Sequence, residues 1–146
     1  MVTVLVLAPG TGPIRTEKID GDDYLELRRL VRGNLGSCSL PAAWRARGYY
    51  AFCDDDAMIR EEPRPLPNRW AHHLGHDVLR GPIVIVRALE DGETGSLTRA
   101  QVADLEMRLA QEPSVEALQA ARREHQFWAD HPSGLSVYNF ETSAWE

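Results

Sequence analysis

The sequence predicts an α+β fold: a mixed or antiparallel sheet of about five strands, helices packed mainly on one face, and a helical extension at the C-terminal end. Three observations carry this. Short β-branched or aromatic runs, bounded by Gly, Pro and Asp, recur through the first ninety or so residues. Amphipathic stretches with helix-capping residues lie between and after them. The chain has 146 residues and is 43% hydrophobic, which suits one domain. At this length a domain buries roughly 68–70% of its unfolded surface, enough for a core without staples.

Val2 to Leu7 reads as a strand that Pro9-Gly10-Thr11-Gly12-Pro13 stops. Ile14 to Ile19 alternates weakly and is the expected hairpin partner, ended by Asp20-Gly21. Asp22 is the expected N-cap of a helix whose apolar face is Tyr24, Leu27, Leu30 and Val31, with Gly33-Asn34 as its left-handed cap. A short strand is expected within Leu35 to Leu40, and a core strand over Gly48 to Cys53. Asp54-Asp55-Asp56 then turns the chain, with Ala57-Met58-Ile59 as a returning strand. Three prolines make Glu61 to Asn68 a loop, and a short helix is expected over Arg69 to Leu74.

Ile83 to Val86 is a continuous apolar run, the pattern of a strand buried on both faces. After the turn DGETG, Thr98 and Gln101 form a capping box, and Val102, Leu105 and Leu109 make the stripe of that helix. Past Pro113 a second helix is expected from Ser114 to Asp130, with Leu118, Ala121, His125 and Trp128 along one face. The tail from Leu135 carries Tyr138, Phe140 and Trp145. The division expected is therefore one domain over 1–146: a body over 1–112 and an extension over 113–146. The extra aromatic surface of the tail leads to the expectation of a homo-oligomer.

The formal net charge is −6, which disfavours direct nucleic-acid binding because phosphate contacts need Lys and Arg. Lys18 is the one lysine, so arginine supplies nearly all the cationic chemistry. Arginine offers a planar, bidentate fork for phosphate or carboxylate. Cys38 and Cys53 form no CxxC pair and fit a reducing cytosol. The apolar opening is too short to span a membrane and lacks a basic leader, so a cytoplasmic location is expected.

Several segments in order also carry a resemblance: VLVLAPG at the start, EKIDG at 17–21, the helix ending LRRLVRG, AFCDDDAMI, LPNR at 66–69, HDVLRGPIVIV, the DGE turn and SLTRAQVADLE. Over roughly residues 2 to 110 the chain resembles the domain-of-unknown-function 3846 family. The HHLGH stretch and everything after Pro113 depart from that pattern. The resemblance implies a cytosolic protein of a phage or other mobile element. It implies no reaction.

Five segments are candidate sites. Pro67-Asn68-Arg69, with Arg64, is the preferred ligand site: a proline-fixed loop that presents an amide and guanidinium groups to an anion. The plain alternative is that Asn68 caps the segment after it. His72, His76 and Asp77 are weaker metal candidates, since His72 and His76 would share a helical face. Asp54-Asp55-Asp56 lacks the glycine and closing glutamate of a calcium loop and reads as a hydrated turn. The 9–13 turn lacks the GK[ST] ending of a phosphate loop. Ser37, Cys38 and Cys53 sit in no catalytic signature, and Cys53 reads as an inert strand thiol. No cofactor is expected.

The expected function is non-catalytic: binding a host protein or sequestering a small anionic, nucleotide-like ligand. The alternatives are an acidic protein that blocks a nucleic-acid-binding host enzyme and a metal-dependent hydrolase built on HHLGH.

Overall fold

The computed structural model of the protein describes residues 1–61 and 63–131, and the backbone of 138–139 and 144–145. Val2–Leu7 (β1) pairs antiparallel with Ile14–Ile19 (β2), as the turn chemistry between them predicts. Leu35–Cys38 (β3), Tyr49–Asp54 (β4) and Ile83–Ala88 (β5) complete an antiparallel sheet of order β2-β1-β5-β4-β3. A two-residue strand, Thr94–Gly95 (β6), extends β5. The helices are Tyr24–Val31 (α1), Ala42–Ala46 (α2), Arg99–Ala110 (α3) and Val115–Asp130 (α4). Tyr138–Asn139 (β7) and Ala144–Trp145 (β8) pair with each other. The expectations placed on the tail, including Phe140 and the homo-oligomer, lie outside the described residues.

β5 is central and buried on both faces, as its unbroken run Ile83 to Val86 predicts. Alternation divides its side chains between two cores. Val84 and Val86 join Val4, Val6, Ile19 and the α1 residues Leu27, Leu30 and Val31. Ile83 and Ile85 join Leu5, Leu7, Ala51, Trp44 of α2, Trp70, Leu74 and the α3 residues Leu105 and Leu109. Each such aliphatic side chain, fully buried, contributes about 1.5–3 kcal/mol. One helix therefore covers one face, and α2, α3 and the 70–74 segment cover the other. α4 follows on that second side, burying Ala117 and Ala121 and joined to the segment before β5 by His76 and Glu124.

Several local expectations need correction. The N-cap of α1 is Asp23, whose side chain accepts from Leu25 N, rather than Asp22. The left-handed residue that ends α1 is Arg32, at φ 58°, rather than Gly33. Gly33 is required for another reason: a Cβ there would occupy the space of the Asp54 carboxylate. Ala57 to Ile59 is a series of turns, closed by Ala57 N to Asp54 O and Ile59 N to Asp56 O, and no strand returns there. The two edges of β4 are already taken by β3 and β5. Arg69 to Leu74 forms successive turns rather than a helix, with Gly75 at φ +84° closing them. On α4, Ala117 and Ala121 are buried while Trp128 is 37% exposed, so the docked face is rotated from the expected stripe. Small alanines let the helix approach the Gly75 turn closely.

Candidate functional site

The proline-rich segment is held at its C-terminal end by the backbone. Gly10 N donates to Pro67 O at 2.8 Å, Gly81 N to Leu66 O at 2.8 Å and Asn68 N to Leu79 O at 2.7 Å. Gly10 lies at φ +65°, and a Cβ there would come within 3.1 Å of Leu66 Cδ1. The 9–13 turn is thus a docking point for the 66–68 backbone.

Asn68 is 3% exposed, and its side chain is fully occupied. Nδ2 donates to Leu7 O at 3.0 Å and to Gly81 O at 3.1 Å, while Oδ1 accepts from Trp70 N at 3.1 Å. It ties β1, the start of β5 and the 68–70 turn together and presents nothing outward. Arg69 lies over the Trp70 ring, 4.0 Å from its centroid, and donates to Gly12 O at 2.9 Å. Of the three residues expected at the ligand site, Arg64 lines a cavity that Asn68 and Arg69 do not reach.

That cavity has a volume of about 590 Å³. Arg32 enters it from the end of α1, Arg60 and Arg64 from the loop after β4, and Asp54 from the end of β4. Pro9, Pro63, Pro65, Leu66 and Pro82 form an apolar wall. Among the described residues, Glu61 is the other acidic residue in the lining.

Asp54 organises this centre. It is 5% exposed, so it is not the hydrated turn residue that the DDD pattern predicts. Arg60 donates from Nε to Oδ2 at 2.6 Å and from Nη2 to Oδ1 at 3.2 Å. The backbone N–H groups of Asn34 and Asp56 each donate to Oδ1 at 3.1 Å. Burial works to raise the pKa of Asp54, but Arg60 and these N–H groups outweigh it and hold the carboxyl below its ordinary value. The pair fixes Arg60 by one edge and leaves Nη1 outside it. Arg32 and Arg64 have no carboxylate partner among the described residues. Neither Arg32 nor Arg60 stands out in the sequence: one ends a helix and the other precedes a proline-rich loop.

The metal candidates do not converge. His72 is exposed, His76 bonds Glu124, and Asp77 Oδ2 lies 3.0 Å from His125 Nδ1. Among the described residues no group of three or more His, Cys, Asp or Glu side chains is arranged to hold a metal ion. No helix among them is long and apolar enough to cross a membrane.

A family model described as "Domain of unknown function (DUF3846)" matches residues 2–110. No curated protein and no solved structure matches the chain. The matched span contains the whole arginine cavity and stops at the end of α3.

Proposed function

The chain belongs to the DUF3846 family of unknown function, and from that premise we propose that it is a non-catalytic protein that binds a small anionic, nucleotide-like ligand in the arginine cavity. The observation that carries this reading is the convergence of Arg32, Arg60 and Arg64 on one proline-walled cavity. Among the described residues its lining holds three arginines against Asp54 and Glu61, a net positive spot on a chain of net charge −6. Guanidinium groups grip phosphate or carboxylate bidentately. The prolines and Leu66 suit a flat apolar body beside that anionic group. The backbone ties that hold the 66–68 segment limit the ordering cost of binding.

The biological setting belongs to the same proposal. The resemblance of the family to phage and mobile-element proteins supports an accessory role in a host cytoplasm, in which the protein sequesters its ligand or engages a host factor.

The test is thermal unfolding of the full chain with nucleoside monophosphates, nucleoside diphosphates, cyclic dinucleotides and inorganic phosphate. A ligand at a hundred times its Kd stabilises by about 2.7 kcal/mol, which raises the Tm by several degrees. Arg64→Ala leaves the unliganded Tm unchanged, because Arg64 is exposed and has no partner among the described residues. It weakens binding by roughly tenfold or more, the loss of one charge-assisted contact. A panel that leaves the Tm unchanged removes the ligand reading.

A further inference from the structure

A second cleft, of about 280 Å³, shares Asp54 with the arginine cavity and is lined by Cys38, Cys53, His76 and Arg80. Its thiols are set by strand register. Gly36 lies opposite Cys53 and Cys38 opposite Ala51, so the cysteines are diagonal neighbours on one face of the sheet. Their cross-strand partners, Gly36 and Ala51, are small; Cys53 packs against the core cluster that contains Cys38, and both side chains line the cleft. Cys38 is buried and Cys53 partly exposed.

The third member is His76. Its Nδ1 lies 2.9 Å from Glu124 Oε2 and its Nε2 2.8 Å from Ser39 O. Burial favours the neutral ring, but these two acceptors outweigh it and raise the pKa of His76, which favours a cation beside the thiols. Cys38 Sγ points to the same Ser39 carbonyl, at 4.0 Å. The groups that face Cys53 are Cys38 from β3, Asp54 from β4, Asp55 from the turn after it and His76 from the segment before β5. Glu124 of α4 acts on Cys38. The Cys38 thiol lowers the pKa of Cys53 most strongly, burial and the two aspartates oppose it, and His76 adds to the lowering. Cys38 moves the other way, upward. Arg80 Nε, in the same lining, is buried with no partner among the described residues.

We propose that Cys53 is a thiol-exchange site, attacking small-molecule disulfides that enter this cleft, with Cys38 as the resolving thiol. The Cys53 thiolate attacks one sulfur of a disulfide RS–SR. A Cys53–S–SR bond forms, the RS–SR bond breaks, and RS⁻ leaves and takes a proton from water. Cys38 then gives up its proton and attacks Cys53 Sγ. The Cys38–Cys53 bond forms as the second RS⁻ departs with that proton. The protein dithiol is oxidised and the disulfide is reduced to two thiols. The site does not depend on a ligand in the arginine cavity.

The test is intact-mass analysis of the native full chain incubated with oxidised glutathione. The wild-type protein loses two hydrogens and keeps no glutathionyl group. Cys38→Ala stops with one glutathionyl group on Cys53, and Cys53→Ala stays unmodified over the same time. His76→Gln, checked for an unchanged fold by circular dichroism, shifts the pH midpoint of Cys53 alkylation upward, which a purely structural role would not do. The proposal is overturned if native Cys53 reacts no faster than in the denatured chain, or if Cys53→Ala is modified as fast as wild type.

Discussion

Two polar side chains in the core carry much of the local order. Asp54 gathers Arg60 and two backbone N–H groups around one buried carboxylate. Asp54→Asn should cost about 2–3 kcal/mol in urea unfolding, below the 3–5 kcal/mol of a fully buried pair because Arg60 is 37% exposed and rehydrates. Its pKa is depressed in the fold, so its contribution is complete above the unfolded carboxyl value of about 4 and fades as pH falls through the lower folded value. Acid unfolding should accordingly begin at higher pH once Asp54 is replaced. Asn68→Ala should cost about 3 kcal/mol, because it leaves Leu7 O, Gly81 O and Trp70 N without that partner. Little of this was legible in sequence. DDD reads as a wet turn, and only the fold shows that its first member is the last residue of β4, facing the glycine after α1. Asn68 and Arg64 share one local pattern, yet one side chain is turned into the backbone and the other toward the cavity.

At the scale of elements, the capping signals and apolar runs were the readable part. Thr98 and Gln101 form the capping box their spacing predicts, and Ser114 caps α4. Thr98→Ala should lower stability by about 1 kcal/mol. The misread elements are those decided by distant partners: turns replace a strand at 57–59 where β4 has no free edge, and α4 presents alanines because it meets the Gly75 turn. α4 lies beyond the family-matched span and is tied back by His76–Glu124, Asp77–His125 and Ala42 N to Glu116. Burial favours neutral His76, but Glu124 and the Ser39 carbonyl outweigh it and raise its pKa. A raised histidine pKa makes the clamp complete below the unfolded value of about 6.5 and weakens it as pH rises through the folded value. Amide exchange in α4 should therefore speed up relative to the sheet as pH rises above the ordinary histidine value. Glu124→Gln should remove that difference in pH dependence.

For the whole molecule, the α+β class followed from pattern alone, since strands buried on two faces and capped amphipathic helices leave few other arrangements. The cavity did not, because its arginines come from the end of α1 and the loop after β4, which meet only when β4 is in place beside β5 and beneath α1. An acidic chain with a local arginine cluster repels polyanions at long range and still grips a small anion at short range. The most direct measurement is an NMR titration of the arginine side-chain Nε–H signals with a nucleoside monophosphate or a cyclic dinucleotide. Saturable shifts are expected at Arg32, Arg60 and Arg64, with Arg15 and Arg99 unmoved and the titration displaced to higher ligand concentration in Arg64→Ala. Shifts spread evenly over surface arginines, or no saturable shift at those three with any compound in the panel, would contradict binding in the cavity.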